Sequence, residues 1–290
     1  MLSPAISVVI PAKNESGALG ALLPRLTRVV QPSQVFLVDD GSTDNTAELA
    51  RSFGIQVVSH PYSMGNGAAI KSGARAAQGD TIVFMDADGQ HDPADIERLV
   101  ARLNEGYDMV VGARSRGGQA SLGRGVANRL YNRLASYMAN RRVEDLTSGF
   151  RVVRADKFRE FLHLLPNGFS YPTTSTMAFF RSAYPVAYEP IRVSKRVGKS
   201  HIRPLRDGAR FLLIIFKIGT LYSPLKLFAP LALFHFLVGL GYYGYTFFTQ
   251  NRLTNMTVLL MTGAVTVFLI GLVSEQITQL LYQPRNRRDS

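Results

Sequence analysis

The sequence predicts an α/β protein in two parts, a doubly wound parallel sheet followed by a pair of membrane-spanning helices. Residues 1–190 alternate short apolar runs with helical segments, an order typical of a parallel sheet covered by helices. Two long apolar runs follow near the C-terminus. Cysteine is absent from the 290 residues, which excludes a disulfide-stapled secreted scaffold and a zinc–cysteine site.

Five continuous apolar runs, each bounded by turn residues, predict strands that are buried on both faces of the sheet. They are Ile6–Ile10, Val35–Val38, Ile55–Val58, Thr81–Met85 and Met109–Val111. The predicted helices are Ser16–Val30, which Pro24 bends or divides, Thr43–Ser52, Gly67–Ala77, Pro93–Leu103 and Leu122–Asn140. Sheets of this kind bind ligands beyond the carboxyl ends of their strands, so functional residues are expected there.

The C-terminal part contains two runs without a formal charge, Leu227–Phe248 and Met256–Ser274. A helix as long as the first run rises about 33 Å, enough to cross the hydrocarbon core of a bilayer. Lysine and arginine flank the pair on its outer sides, so the positive-inside rule predicts a hairpin with both termini in the cytoplasm. The alternative is a pair of buried helices in a soluble core.

No signal peptide is expected, because the N-terminal apolar stretch is short and leads directly into a polar motif. The predicted organisation is an α/β domain over residues 1–201, an interfacial segment over 202–224, the hairpin over 225–282 and a basic cytoplasmic tail over 283–290. The α/β domain is therefore expected on the cytoplasmic side of an integral membrane protein.

The interfacial segment is predicted to be an amphipathic helix that lies on the membrane surface. Arg203, Arg206, Arg210 and Lys217 share one narrow helical face, and apolar residues surround it. The chain carries a net charge of +12, which alone is compatible with nucleic acid or with lipid headgroups. Because the excess lies beside the apolar runs, it favours an anionic lipid surface, and no nucleic-acid partner is expected.

The fourth predicted strand delivers two carboxylates and an amide to the same end of the sheet, at Asp86, Asp88 and Gln90. Oxygen ligands of this kind suit Mg²⁺ or Mn²⁺, which share their remaining positions with substrate phosphates. An Asp-x-Asp pair also occurs in ordinary turns, so its position after a buried strand is what favours a metal site.

Two further polar loops have both an ordinary and a functional interpretation. Asp39 and Asp40 form a turn with Ser42 or Thr43 as helix cap, or they bind the ribose or base of a nucleotide. Residues 65–67, with Lys71, form a simple loop or a glycine-rich helix entry whose N–H groups face a phosphate. The residues alone leave both alternatives open.

Six motifs, in order over about residues 5–202, carry a resemblance to a known family. They read IPAKNE, VDDGSTDNT, MGNGAAIKSGARAAQGD, MDADGQHDP, DLTSGFRVVR and SKRVGKS. This series resembles the family 2 glycosyltransferases of GT-A (nucleotide-diphospho-sugar transferase, Rossmann-like) fold, and within them the polyprenyl-phosphate group typified by dolichol-phosphate mannose synthase.

The resemblance implies roles for individual residues. Donor binding is implied for Pro11, Ala12, Glu15, Asp39, Asp40, Lys71, Asp86 and Ala87. Metal binding, to Mg²⁺ or Mn²⁺, is implied for Asp86, Asp88 and Gln90. Catalytic roles are implied for Asp88, Asp145, Arg114 and Arg151, and contact with the acceptor or its phosphate for Arg114, Ser148, Arg151, Arg196 and Ser200. Gly149 lies in the same loop motif as Asp145. Residues 169–181 lack the carboxylate that the family often has there, so contacts in that segment are expected to differ.

The reaction implied is inverting transfer of a hexose from a UDP- or GDP-linked donor to a polyprenyl phosphate. A phosphate monoester with a second pKa near ~6 is largely ionised at neutral pH, so it needs cationic positioning more than a general base. The alternatives are a glycosyltransferase with a hydroxyl acceptor and a membrane-tethered binder without catalysis. The sequence is compatible with a homo-oligomer, and a separate flippase and a downstream glycosyltransferase are expected as partners.

Overall fold

The computed structural model describes residues 6–114, 122–168, 171–193, 216 and 219–282, and it divides into two compact units. The first unit spans Met1–His201 and the second Ile202–Ser290. The predicted tail at 283–290 and most of the predicted interfacial segment lie outside the described residues.

The first unit alternates strands and helices as predicted. Its strands are β1 (Ile6–Ala12), β2 (Val35–Asp39), β3 (Gln56–Ser59), β4 (Thr81–Phe84), β5 (Met109–Arg114), β6 (Arg151–Arg154) and β7 (Val186–Ile191). Its helices are α1 (Ser16–Leu26), α2 (Thr46–Ser52), α3 (Asn66–Ala76), α4 (Asp95–Leu103), α5 (Leu122–Ala139), α6 (Ala155–Glu160) and α7 (Tyr171–Arg181). α1 contains Pro24 without being divided, and it ends four residues before its predicted end.

The seven strands form one sheet in the order β3-β2-β1-β4-β6-β5-β7. The five predicted strands run parallel to one another, whereas β6 runs antiparallel to both β4 and β5. β6 and β7 were not predicted from the sequence. β6 has only two apolar residues between Arg151 and Arg154, so no apolar run marks it. β3 is an edge strand and is only partly buried, contrary to the prediction.

Helices pack on both faces of the sheet. Successive side chains of a strand point to opposite faces, and every residue of β1 is buried, so both faces must be covered. Val8 and Ile10 join the cluster formed with α1 and α4, which includes Leu22. Val9 points to the opposite face, where it meets α3 at Gly73. A Cβ at Gly73 would lie 2.2 Å from Cγ1 of Val9, so glycine allows this close approach. The core therefore holds the carboxyl ends of β1, β2 and β4 in fixed positions.

The second unit contains two long helices, α8 (Pro224–Gln250) and α9 (Asn255–Leu281), which extend beyond the predicted spans. Each is long and apolar enough to cross a membrane. Their buried positions are mostly small residues spaced by seven, at Ala232, Gly239 and Thr246 in α8 and at Thr257, Ala264, Gly271 and Thr278 in α9. A seven-residue spacing is the repeat of a coiled-coil seam, and small residues allow close helix packing.

The remaining apolar surface of these two helices is open. Only 11% of the apolar window of α8 and 17% of that of α9 are buried. The alternative of two buried helices in a soluble core is therefore wrong for this unit. Exposed side chains such as Phe234, Leu237 and Leu269 suit a lipid environment.

Candidate active site

The turn after β4 carries the predicted metal ligands. The Asp86 side chain remains 36% exposed, although the strand before it is fully buried. The backbone N–H of Gln90 donates to Oδ1 of Asp88 at 3.1 Å, and Gly89 adopts a positive φ of 70°. This local hydrogen bond and the left-handed glycine close a tight turn. The turn gathers Asp86, Asp88 and Gln90 at the carboxyl end of the sheet.

Gly149 lies directly against the Asp86 carboxylate. A Cβ at Gly149 would lie 2.4 Å from Oδ2 of Asp86 and 2.9 Å from Oδ1. No larger residue fits at this position without moving the carboxylate. The loop that contains Gly149 therefore forms one wall of the site around Asp86.

Arg114 and Asp145 form a two-pronged ion pair in the same region. Nε and Nη2 of Arg114 donate to the two Asp145 oxygens at 2.7 and 2.8 Å, and Nη2 also reaches Thr147. Burial opposes ionisation of Asp145, but the hydrogen bonds and charge of Arg114 outweigh it and hold the Asp145 pKa below its usual value. The hydrogen bond to Asp145 raises the Arg114 pKa, and the charge of Asp86 adds to the effect. Arg114 therefore stays cationic close to Asp86.

The Arg151 side chain is completely buried and hydrogen-bonded to protein oxygens. Nη1 donates to the Pro172 carbonyl and to the hydroxyls of Ser175 and Thr176. Nη2 donates to the carbonyl of Ser148. Protein oxygens thus accept hydrogen bonds from both terminal nitrogens, and the predicted phosphate contact stays a prediction.

The Asp40 carboxylate accepts hydrogen bonds from the loop that follows β3. Oδ1 accepts from the N–H of Met64 and contacts Nδ1 of His60, while Oδ2 accepts from Ser63 and from the N–H of Gly65, all within 2.9 Å. Burial opposes ionisation, but these hydrogen bonds prevail and lower the Asp40 pKa to about 2. In this conformation the carboxylate holds the loop rather than presenting itself to a ribose.

The loops after β1 and β2 are tied to each other. Asp39 accepts the N–H of Ser42 at 3.0 Å, and Ser42 in turn accepts the N–H of Asn14 at 2.9 Å. The N–H of Glu15 donates to Thr46 at 3.0 Å. Pro11 and Ala12 lie within β1 itself and are buried. These predicted donor residues are therefore brought together at adjoining strand ends.

The prediction that Ser42 or Thr43 caps the following helix is wrong. The helix begins at Thr46, and its N-cap residue, Asn45, makes no side-chain cap hydrogen bond. Asp44 accepts the N–H of Thr46 instead. Ser42 does not cap the helix because its hydroxyl accepts the N–H of Asn14 and its own N–H donates to Asp39.

The glycine-rich entry to α3 receives protein backbone. The N–H groups of Gly67 and Ala68 donate to carbonyls of residues 168 and 167, at 3.1 and 2.9 Å. A Cβ at Gly67 would lie 2.0 Å from the carbonyl oxygen of Pro166. Lys71 donates to the Leu165 carbonyl and to the Asn167 side chain. This geometry fits the ordinary loop interpretation, and the phosphate interpretation stays a prediction.

Comparison with known proteins identifies the family of the first unit. The sequence-family model for glycosyl transferase family 2 matches residues 7–162. The sequence-family model for the GtrB C-terminal hairpin matches residues 223–280. The chain belongs to glycosyltransferase family 2. The predicted resemblance is therefore confirmed, and the same chain also matches a family of C-terminal hairpins.

Curated relatives of this family 2 enzyme include lipid-phosphate sugar transferases. The undecaprenyl-phosphate 4-deoxy-4-formamido-L-arabinose transferase of Yersinia enterocolitica is 34% identical over 188 residues, which cover 58% of this chain and 57% of that protein. A dolichyl-phosphate hexose transferase of Haloferax volcanii is 28% identical and covers 70% of this chain and 89% of its own length. The chain thus spans little more than half the length of the Yersinia relative.

Solved structures confirm the predicted GT-A fold of the family 2 domain. Glucosyl-3-phosphoglycerate synthase from Mycobacterium tuberculosis, in complex with Mn²⁺ and UDP-glucose, superposes with a TM-score of 0.60. The two proteins are 24% identical, and the match covers 74% of this chain and 77% of that one.

The donor set of this glycosyltransferase fits a divalent cation shared with a substrate. Among the described residues no group of three His, Cys, Asp or Glu side chains could hold a metal ion alone. Asp86, Asp88 and Gln90 supply two carboxylates and one amide, which leaves positions for phosphate oxygens. The residues therefore fit Mg²⁺ or Mn²⁺ bound together with a diphosphate.

Sequence reasoning assigned no role to two residues beside this site. His91 is buried, its ring stacks on Phe150, and Nε2 lies 3.8 Å from Oδ2 of Asp86. Tyr171 is also buried and donates to the Gly149 carbonyl at 3.0 Å. His91 lies within the motif MDADGQHDP, so the sequence could have marked it as a site residue. No local pattern marks Tyr171. The predicted phosphate ligands Arg196 and Ser200 lie outside the described residues.

Proposed function

We propose that this chain transfers a sugar from a nucleotide-sugar donor to a polyprenyl phosphate at the cytoplasmic face of a membrane. One observation carries the proposal: the same chain contains a family 2 site and a C-terminal membrane hairpin. The site includes Asp86 and the Arg114–Asp145 pair. The relatives named as undecaprenyl-phosphate and dolichyl-phosphate transferases support the same acceptor class.

Asp86, Asp88 and Gln90 would hold Mg²⁺ or Mn²⁺ on the donor diphosphate, where the cation supplies charge stabilisation for the departing diphosphate. The adjoining ends of β1 and β2, with Pro11, Ala12, Glu15 and Asp39, would line the nucleoside, and Ala87 would lie beside the diphosphate. Asp40 and Lys71 would act indirectly, by holding the loops that flank the donor.

Arg114 would provide the cationic contact for the acceptor phosphate. Asp145 fixes its guanidinium with two hydrogen bonds, so the charge is preorganised and costs little reorganisation during the reaction. Ser148 would contribute its hydroxyl, which is buried and has no hydrogen-bond partner among the described residues. Arg196 and Ser200 remain predicted phosphate ligands. A single displacement at the anomeric carbon would invert its configuration.

The hairpin would bring the catalytic domain to the leaflet that contains the lipid, with both termini in the cytoplasm. The basic residues of 192–226 would attract the anionic headgroups. A separate flippase, a downstream glycosyltransferase and self-association remain predictions.

The test is a transfer assay with the full-length chain in detergent. The protein is incubated with a panel of UDP- and GDP-sugars, a polyprenyl phosphate and Mg²⁺ or Mn²⁺, and the lipid product is identified by mass. We expect a polyprenyl-phosphate-sugar that disappears with EDTA and in Asp88→Asn. Asp156→Asn, a change at an exposed carboxylate on α6, serves as the matched control and should retain activity. Transfer only to a lipid hydroxyl, or undiminished transfer by Asp88→Asn, would contradict the proposal.

A further inference from the structure

Arg151 is a buried cation whose described partners are all neutral. Its exposure is 0%, and its hydrogen bonds go to two carbonyls and to the hydroxyls of Ser175 and Thr176. No carboxylate in the described part of the chain accepts a hydrogen bond from it. Burying an unpaired charge is costly, so a merely space-filling role would be served better by an apolar side chain. The guanidinium is instead used to hold backbone, since one of its bonds goes to the carbonyl of Ser148.

Tyr171 holds the next residue of the same loop. Its hydroxyl donates to the Gly149 carbonyl at 3.0 Å, and its ring lies 5.7 Å from the guanidinium carbon of Arg151. The ring also meets Phe84, the last residue of β4, edge-on at 6.1 Å. Two side chains that contact each other thus hold two successive carbonyls, those of Ser148 and Gly149.

The held backbone is the wall against which Asp86 rests. A Cβ at Gly149 would overlap the Asp86 carboxylate, at 2.4 Å from Oδ2, so the two groups have no space to shift toward each other. The Gly149 backbone therefore limits where the Asp86 carboxylate can lie.

We propose that Arg151 and Tyr171 are positioning residues, which fix the backbone of residues 148–149 beneath Asp86 and thereby set the affinity of the site for its divalent cation. This inference rests on the proposed function, because it takes Asp86 as a ligand. These five residues, with Ser148 and Gly149 in the middle, link α7 to the turn after β4.

The test compares Tyr171→Phe with Tyr184→Phe in the full-length protein. The first change removes the hydrogen bond to Gly149, whereas the second removes a hydroxyl that donates to the exposed Glu160. The dissociation constant of Mn²⁺, alone and with UDP or GDP, is measured by electron paramagnetic resonance of free Mn²⁺, and the melting temperature is measured in parallel. We expect affinity to fall about tenfold in Tyr171→Phe, as is typical when an outer-shell partner of a metal site is lost. Tyr184→Phe should match the wild type.

Ser175→Ala provides a second variant, which removes one acceptor of Arg151 without enlarging the side chain. We expect a smaller loss of Mn²⁺ affinity in the same direction, and this variant decides the matter if Tyr171→Phe does not fold. Wild-type Mn²⁺ affinity in a folded Tyr171→Phe, even with a lower melting temperature, would overturn the positioning role alone. A wild-type protein that binds no Mn²⁺ would overturn the metal site of the proposed function as well.

Discussion

Replacing Gly149 by alanine should move Asp86 and reduce sugar transfer strongly. The added Cβ would lie 2.4 Å from Oδ2 of Asp86. Since ordinary van der Waals contact requires about 3.4 Å, the carboxylate or the loop must shift by about 1 Å. A displacement of this size at a reacting centre can cost about 100-fold in rate. That loss corresponds to about 2.7 kcal/mol of transition-state stabilisation.

The assay for Gly149→Ala is the transfer reaction, with the turnover number and the metal concentration for half-maximal rate both measured. Gly20→Ala is the matched control, because its new Cβ meets nothing within 4 Å and alanine is favoured within a helix. Circular dichroism establishes that both variants are folded. Wild-type turnover and metal dependence in Gly149→Ala would refute the claim that Gly149 sets the position of Asp86.

Three further changes test the fold and the loops. Gly67→Ala should destabilise the protein by about 1–3 kcal/mol in denaturant unfolding, because its Cβ would overlap the Pro166 carbonyl. Asp40→Asn should cost about 2 kcal/mol at pH 7, since the Asp40 pKa is lowered from 3.8 to about 2. This stabilisation is complete above the unfolded pKa and is lost as the pH falls through the folded one, so the difference in unfolding free energy should shrink between about pH 5 and pH 2. Gly271→Ala should lower the melting temperature in detergent, because its Cβ would lie 2.6 Å from Cβ of Phe228.

The controls for these changes are glycines with open space around them and a carboxylate that is mostly exposed to solvent. Gly263→Ala, whose Cβ meets nothing within 4 Å, should leave the hairpin unchanged, as Gly20→Ala should in the first unit. Asp156→Asn should leave the unfolding free energy nearly unchanged, because this carboxylate is 61% exposed. An Asp40→Asn effect that persisted undiminished at pH 2, or equal effects of Gly271→Ala and Gly263→Ala, would contradict these assignments.

Local patterns predicted the elements and the turn after β4 well. The five predicted strands and five predicted helices are present, with ends shifted by a few residues. Asp88 and Gln90 form their turn through a bond between neighbours, so that geometry was accessible from sequence. β6 was missed because a short central strand with arginine at both ends has no periodic signal.

Polar side chains with distant partners were interpreted less well. Arg151 and Asp40 both stand in motifs that the resemblance assigns to ligand contact, yet their charges are used by α7 and by the loop after β3. Gly67, for which the sequence left a simple loop and a phosphate-facing helix entry both open, admits the backbone of residues 166–168. A motif identifies which residue types are present but not which acceptors reach them.

By itself the sequence determined the alternation of strands and helices, the membrane hairpin and the family, because these depend on periodicity, run length and motif order along the chain. Only the tertiary structure decided that β6 enters the sheet antiparallel, that Arg151 is completely buried and that Arg114 pairs with Asp145. The reason is that a buried polar group takes whichever partner the fold brings within about 3 Å, and several of these partners lie 20 or more residues away along the chain, such as His60 for Asp40 and Ser175 for Arg151.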